Sequence, residues 1–355
     1  LHLCDRRQRQ MCIRDRIWNG FQRGINLGGW LSQCDHTDRH YDTFITENDI
    51  AHIASWGMDH VRVPIDYELI EAQGSIERES GYARIACCLR WCKKHNLNVV
   101  LVLHKTYGYN PESAYASSDF FENPALQARF VSLWNQLAKR FQSYSDILAF
   151  ELLDQVLEKE HPNRWNRVVA KTIDAIRGIC PAVPIVVSGI RNDRAASIPL
   201  LQLPADEHLV YGFHCYEPMV FTHQSADWVR GTPKTVNIPY PDEIDKYRRL
   251  SAAACKAFTE PLIQSGVTNV QDELFRNLLQ PAVETAERNN IPLYCGAYGV
   301  IQQADDASTL RWFETVHRIF EEYGIARAVW SYRDVDFGIV DSCRDAIREQ
   351  LLPLL

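Results

Sequence analysis

From Phe21 onward, short runs of apolar and β-branched residues alternate with longer segments whose apolar positions recur every three to four residues. The runs at 22–26, 60–65, 98–104, 148–153, 184–188, 208–214, 292–296 and 327–331 read as eight strands. Between them, 47–56, 81–95, 124–142, 163–179, 281–290, 307–323 and 345–352 carry helical patterns, the first behind Thr46 as a candidate N-cap. The link between the fifth and sixth strands has room for only a short helix, near 191–197. The strand segments are continuous apolar runs, as expected for strands covered on both faces. The pattern predicts an α/β fold, a closed (β/α)8 TIM barrel in a single domain. A doubly wound open sheet is the competing arrangement, but Gly28-Gly29 lacks the spacing of a phosphate-binding turn. The stretch 214–280 is too long for a simple connection. It holds a Pro-rich part, 232–242, and helical patterns at 242–258 and 270–279. It reads as a β6–α6 insertion over the mouth of the barrel, the face whose loops carry specificity.

Composition narrows the picture. The chain has 355 residues, 46% of them hydrophobic, enough for a deep core. A net charge of −7 without long like-charge blocks gives no electrostatic reason to expect nucleic acid. No run of about 18 apolar residues exists, so no membrane span is expected, and no signal-peptide core precedes the fold. The eleven cysteines show neither CxxC pairs nor a zinc spacing. Cys87, Cys88 and Cys92 read as small residues of a helix face. Setting Cys4 and Cys12 aside leaves nine of the eleven, an odd number that suits a reducing compartment. The expected localisation is therefore cytoplasmic. Residues 1–16 fit nothing downstream. Met11-Cys12-Ile13-Arg14-Asp15-Arg16 resembles a translated sequencing-adapter end, so 1–16 is expected to be an assembly artefact on a metagenomic fragment, with 17–355 as the barrel. A basic N-terminal arm is the other reading. No cofactor fingerprint and no metal-ligand cluster stands out, so neither cofactor nor metal is expected.

Barrel enzymes place their chemistry where strands end. Those positions hold Asn26 and Trp30, then Arg62 followed by Asp66 and Glu68, then His104, Asp154 and Gln155. Further along come His214 and Tyr216, Ala297 and Tyr298, and Trp330. Aromatic faces stack on the C–H faces of a pyranose, while Arg, His and amide groups bond its hydroxyls. The set predicts a sugar pocket. Trp165 and Trp312 read as core, Trp228 as a loop anchor or an outer platform, and Glu151 as a paired structural carboxylate.

Five segments give this a family character. They are Gly24-Ile25-Asn26-Leu27-Gly28-Gly29-Trp30, Trp56-Gly57-Met58-Asp59-His60-Val61-Arg62-Val63-Pro64, Leu103-His104-Lys105, His214-Cys215-Tyr216-Glu217-Pro218 and Trp330-Ser331-Tyr332. From about residue 18 to 350 the chain resembles glycoside hydrolase family 5, within it the exo-β-glucanase and β-glucosidase-like branch. The resemblance implies a (β/α)8 barrel that cleaves β-glycosides with retention, using one glutamate after an asparagine at strand four and another at strand seven. Here the first pair reads Asp154-Gln155 and the second segment Gly296-Ala297-Tyr298-Gly299. The acid/base position is an amide and the nucleophile position a methyl. The resemblance further implies that Arg62 braced the nucleophile and is left there without a partner; structural pairing under the pocket is the other reading for Arg62 and the histidines, and core packing for Trp330. His104, His214 and Tyr216 would line the sugar site with Trp30 and Tyr298, and Trp330 would be its platform. The expectation is a protein that binds a β-linked glucoside or oligosaccharide without cleaving it. The alternatives are hydrolysis by relocated chemistry around Asp154, or a retaining β-glucosidase or exo-β-glucanase inactivated by design or decay.

Overall fold

The structure, a computed structural model, describes residues 16–72, 76–112, 119–158, 160–229, 237–254, 262 and 266–355. Eight parallel strands close into a barrel: β1 Arg23–Asn26, β2 His60–Asp66, β3 Asn98–Lys105, β4 Leu148–Glu151, β5 Ile185–Ser188, β6 Leu209–Cys215, β7 Leu293–Tyr298 and β8 Ala326–Val329. Each strand pairs with its neighbours in sequence, and β8 closes on β1 through Arg23↔Arg327 and Ile25↔Val329. The α/β fold class expected from the sequence is the one observed. The expected artefact segment lies outside the described residues, except Arg16, which pairs with Glu287 at 3.3 Å.

Strand alternation sorts side chains into two shells. Val61, Val63 and Ile65 of β2, with Val99, Leu101 and Leu103 of β3, belong to the outer core under the helices. The inner shell is apolar at the bottom, where Trp18, Phe21, Val100, Ala149, Val186, Val210 and Tyr294 cluster. Trp18 stacks on Phe21 at 4.2 Å and meets Tyr294 edge-on, which seals the barrel floor. Above this floor the inward positions become ionisable, and the site is built there.

The helices Glu47–Ser55, Glu79–Lys94, Pro124–Phe141, Pro162–Arg177 and Asp306–Tyr323 lie where the periodicity puts them. Thr46 and Asp49 form a capping box at the first of these. Two differences stand out. The expected helices at 270–279 and 281–290 are one helix, Asp272–Asn289, which runs through Pro281. The last expected helix shrinks to Arg348–Leu351. The Pro-rich stretch 232–242 lies partly outside the described residues; its visible end leads into the helix Ile244–Ala254. Among the described residues eight cysteines are free, and no helix is long and apolar enough to cross a membrane.

Candidate active site

Arg62 points inward from β2 and is fully buried. Its Nε and Nη2 donate to the two oxygens of Glu151 at 2.7 and 2.9 Å. Nη2 also donates to Asp154 Oδ1 at 2.7 Å, and Nη1 to Asn26 Oδ1 at 2.9 Å. This bidentate geometry is what makes a guanidinium tolerable without water. Burial pulls the Asp154 carboxyl upward, but Arg62, His214 and His104 outweigh it and hold the group ionised, below the ordinary carboxylate range. For Glu151 burial wins, and its carboxyl is raised despite Arg62.

A second acid enters from the segment after β5. Arg191, Asn192 and Asp193 all have left-handed backbone, with φ of 60, 65 and 54°. Asn and Asp accept that conformation more readily than most residues. The turn clamps the loop after β4. Gln155 N and Val156 N donate to the two oxygens of Asp193, both at 2.8 Å. In return, Asn192 N donates to Val156 O and Arg191 N to Glu158 O. Asp193 is fully buried. Burial, and then repulsion from Asp154 and Glu151, raise its carboxyl well above the ordinary range.

The histidines divide in the same way. His104 is buried, and its Nδ1 lies 3.1 Å from Asp66 Oδ1. Burial opposes its charge, but Asp66 and Asp154 raise its pKa. His36 contacts the other Asp66 oxygen at 3.3 Å, and that contact lifts it to about 10. His214 lies 3.4 Å from Asp154 and 3.5 Å from Asp193 through Nε2. Burial pushes it down to about 4, against the pull of Asp154 and helped by Arg62 and His104, so it is neutral.

The end of β7 carries no comparable group. Phe213 pairs with Cys295 but His214 pairs with Ala297, so β7 has one extra residue at Gly296. Such bulges re-aim the side chains beyond them. A Cβ added at Gly296 would lie 3.2 Å from Arg62 Nε and 3.4 Å from both Glu151 and His214, so this backbone abuts the charged cluster. On the same side, Tyr216, His223 and Phe337 meet edge-on, and Trp330 packs against the cluster that Phe337 forms with Ala226 and Ile301. Trp228 continues this wall outward, 60% exposed, with its ring 5.4 Å from His223 and its indole N–H bonded to Asp336.

Residues 21–336 match the family described as Cellulase (glycosyl hydrolase family 5). The chain is similar to Cellodextrinase A of Ruminococcus flavefaciens, 37% identical over 87% of this chain and 84% of that one. It is also similar to Endoglucanase C of Acetivibrio thermocellus, 38% identical over 94% of this chain and 98% of that one. The chain belongs to glycoside hydrolase family 5. Among solved structures, an endoglucanase of Thermotoga maritima superposes with a TM-score of 0.75 at 23% identity, covering 97% of this chain and 99% of that one, a likeness of fold.

Within this family 5 barrel the structure brings together Arg62, His104, Asp154 and His214, with Gln155 and Ala297 at the adjoining strand ends and Tyr216 and Trp330 on the wall. Arg62 has no partner at position 297 and is held instead by Glu151 and Asp154, the structural pairing that was the other reading. Two expectations are corrected. Trp30 is buried away from this group, stacked on Trp91 and donating to Tyr41 O at 2.9 Å. Tyr298 faces outward onto Trp312, Phe313 and Phe320, because the extra residue in β7 flips the alternation that would have pointed it inward. Glu151 is the paired structural carboxylate expected, and Trp165 and Trp312 are core. Asp193 was not anticipated. Its only sequence signal is Asn192-Asp193 just past a strand, a pair that suits a left-handed turn.

Proposed function

We propose that this family 5 chain is a pseudo-glycosidase that holds a β-linked glucoside or a short cellodextrin at the barrel mouth without cleaving it. The observation that carries the reading is the pair of strand ends. Retaining hydrolysis needs two carboxyl groups about 5–5.5 Å apart, one to protonate the leaving oxygen and one to attack. Position 155 offers an amide. Position 297 offers a methyl, on a bulge where Arg62 already has other partners. The name of the Ruminococcus relative supports a cellodextrin as the sugar class. The aromatic wall from Trp330 and Tyr216 to Trp228 supplies stacking surfaces that do not depend on the lost acids.

Relocated hydrolysis around Asp154 is the competing reading. Its weakness is that Arg62 keeps Asp154 ionised, which makes it a poor proton donor. Calorimetric titration with cellobiose, cellotriose and laminaribiose, followed by product analysis, separates the two. The expected result is binding of at least one of these sugars with no product, and a binding loss of about 1 kcal/mol in Trp228→Ala. Robust turnover by the unaltered chain, or no binding across the set, would overturn the proposal.

A further inference from the structure

Asp154, Asp193 and His214 form a compact constellation of nitrogen and carboxylate groups with a use beyond lining a sugar pocket. With Glu151, they place one ligand-type atom each within 4.8 Å of all the others. His214 Nε2 is 3.4 Å from Asp154 Oδ1 and 3.5 Å from Asp193 Oδ2. A tetrahedral ion bound to N and O at about 2.0–2.2 Å sets its ligand atoms about 3.3–3.6 Å apart. The two contacts are too long for good hydrogen bonds to an imidazole but match the edges of that tetrahedron.

One further observation points to a cation. The His214 side chain is more than nine-tenths buried, yet its Nε2 forms no hydrogen bond. A buried polar nitrogen left unbonded is costly unless something completes it. Arg62 is committed to Glu151 and Asp154, which leaves Asp193 without a guanidinium. Among the described residues, the only ion-pair contact of Asp193 is His214. Glu151 is saturated by Arg62 and Ser188, so it supports the group without competing for an ion.

We propose that Asp154 Oδ1, Asp193 Oδ2 and His214 Nε2 bind a divalent transition-metal ion of the zinc type. Nitrogen and carboxylate donors without thiolate favour zinc or manganese over soft ions. Gly296 and Ala297 carry no donor, which leaves the fourth position to a water or a sugar hydroxyl. Sequence spacing gave no hint of such a site, because its ligands come from three strand ends, 154, 193 and 214.

The test is calorimetric titration of the chelator-treated full chain with Zn(II), Mn(II) and Mg(II) separately, without sugar. Zn(II) is expected to bind at one equivalent and Mg(II) weakly. Asp193→Asn and His214→Gln should each weaken Zn(II) by more than the roughly 10–100-fold that loss of a supporting group costs. His36→Gln, in the separate group with Asp66 and Glu68, should leave uptake unchanged. No Zn(II) uptake, or uptake insensitive to both ligand variants, would overturn the proposal. Should those variants fail to fold, Co(II) absorption of the unaltered chain decides. Visible bands of tetrahedral N/O coordination support the site, whereas a sulfur charge-transfer band or no bands would sink it. Because no sugar is present, this result stands apart from the outcome of the sugar titrations.

Discussion

The ends of β4 and β7 approach the same guanidinium from two sides. At β4, Glu151 and Asp154 hold Arg62 through three short bonds, and Asp193 is clamped onto the following loop. At β7, only the Gly296 backbone abuts the same cluster, and Ala297, in register with His214, carries a methyl. In the family pattern an asparagine stands at position 154 and a glutamate at 297. Set against the pattern the family resemblance implies, which also has a glutamate at 155, this chain carries a carboxylate at 154 and none at 155 or 297. A buried guanidinium demands a nearby carboxylate, but it does not fix which strand supplies it. Reactivity does depend on the strand, because a nucleophile must stand beneath the anomeric carbon.

Reversing the three substitutions is the largest test of this comparison. Asp154→Asn, Gln155→Glu and Ala297→Glu together should restore a retaining β-glycosidase, with a gain on the order of 10⁶ in turnover of an aryl β-glucoside or cellodextrin. Ala297→Glu alone should gain far less and should lower stability, because it crowds a further carboxylate beside Glu151 and Asp154. Adding Asp154→Asn should recover that loss, a coupling of about 0.5–3 kcal/mol in a double-mutant cycle read by urea denaturation. Additive single effects would mean that the two ends are not electrostatically coupled.

The β4 side alone can be broken through Arg62. Arg62→Met leaves two buried carboxyl groups without their donor, and stability should fall by about 3–5 kcal/mol in equilibrium denaturation. A loss below about 1 kcal/mol would show that water, and not the guanidinium, satisfies Glu151 and Asp154.

The same contrast explains what could be read from the chain alone. Strands buried on both faces leave continuous apolar runs, so the eight strands were visible, and with them the strand-end positions of Arg62, His104, Asp154 and His214. Which side of the sheet a strand-end residue faces is harder to read. Alternation from Tyr294 would point Tyr298 inward, and a single extra residue at Gly296 turns it out. Trp30 follows a Gly-Gly turn that carries it out of the strand and onto Trp91. Asp193 depends on three consecutive left-handed residues, one of them Arg191, a conformation that its side chain gives no reason to expect. Partnerships, too, were less legible than positions. Structural pairing of Arg62 under the pocket was open in the sequence, but nothing there says that Glu151 and Asp154 are the partners.

His214 joins the two regions, paired with Ala297 in register and 3.4 Å from Asp154, and it offers the smallest and most local test. Its pKa is pushed from 6.5 down to about 4, so the folded protein keeps the ring neutral while the unfolded chain protonates it. Stability from this residue is therefore fully present above about pH 6.5 and is lost as the pH falls through about 4. The loss is at most about 3 kcal/mol. Asp193 and Glu151 are raised and oppose it, since their protonation favours the folded state as pH falls. The difference between the unaltered chain and His214→Gln, followed by denaturation from pH 7 to 4 with chelator present, isolates the ring from Arg62, His104 and the carboxyl groups around it. The unaltered chain should lose more stability than the variant across that window. Parallel curves would mean that His214 is charged in the folded state, and that Asp154 at the β4 end, not the neutral backbone of β7, sets its ionisation.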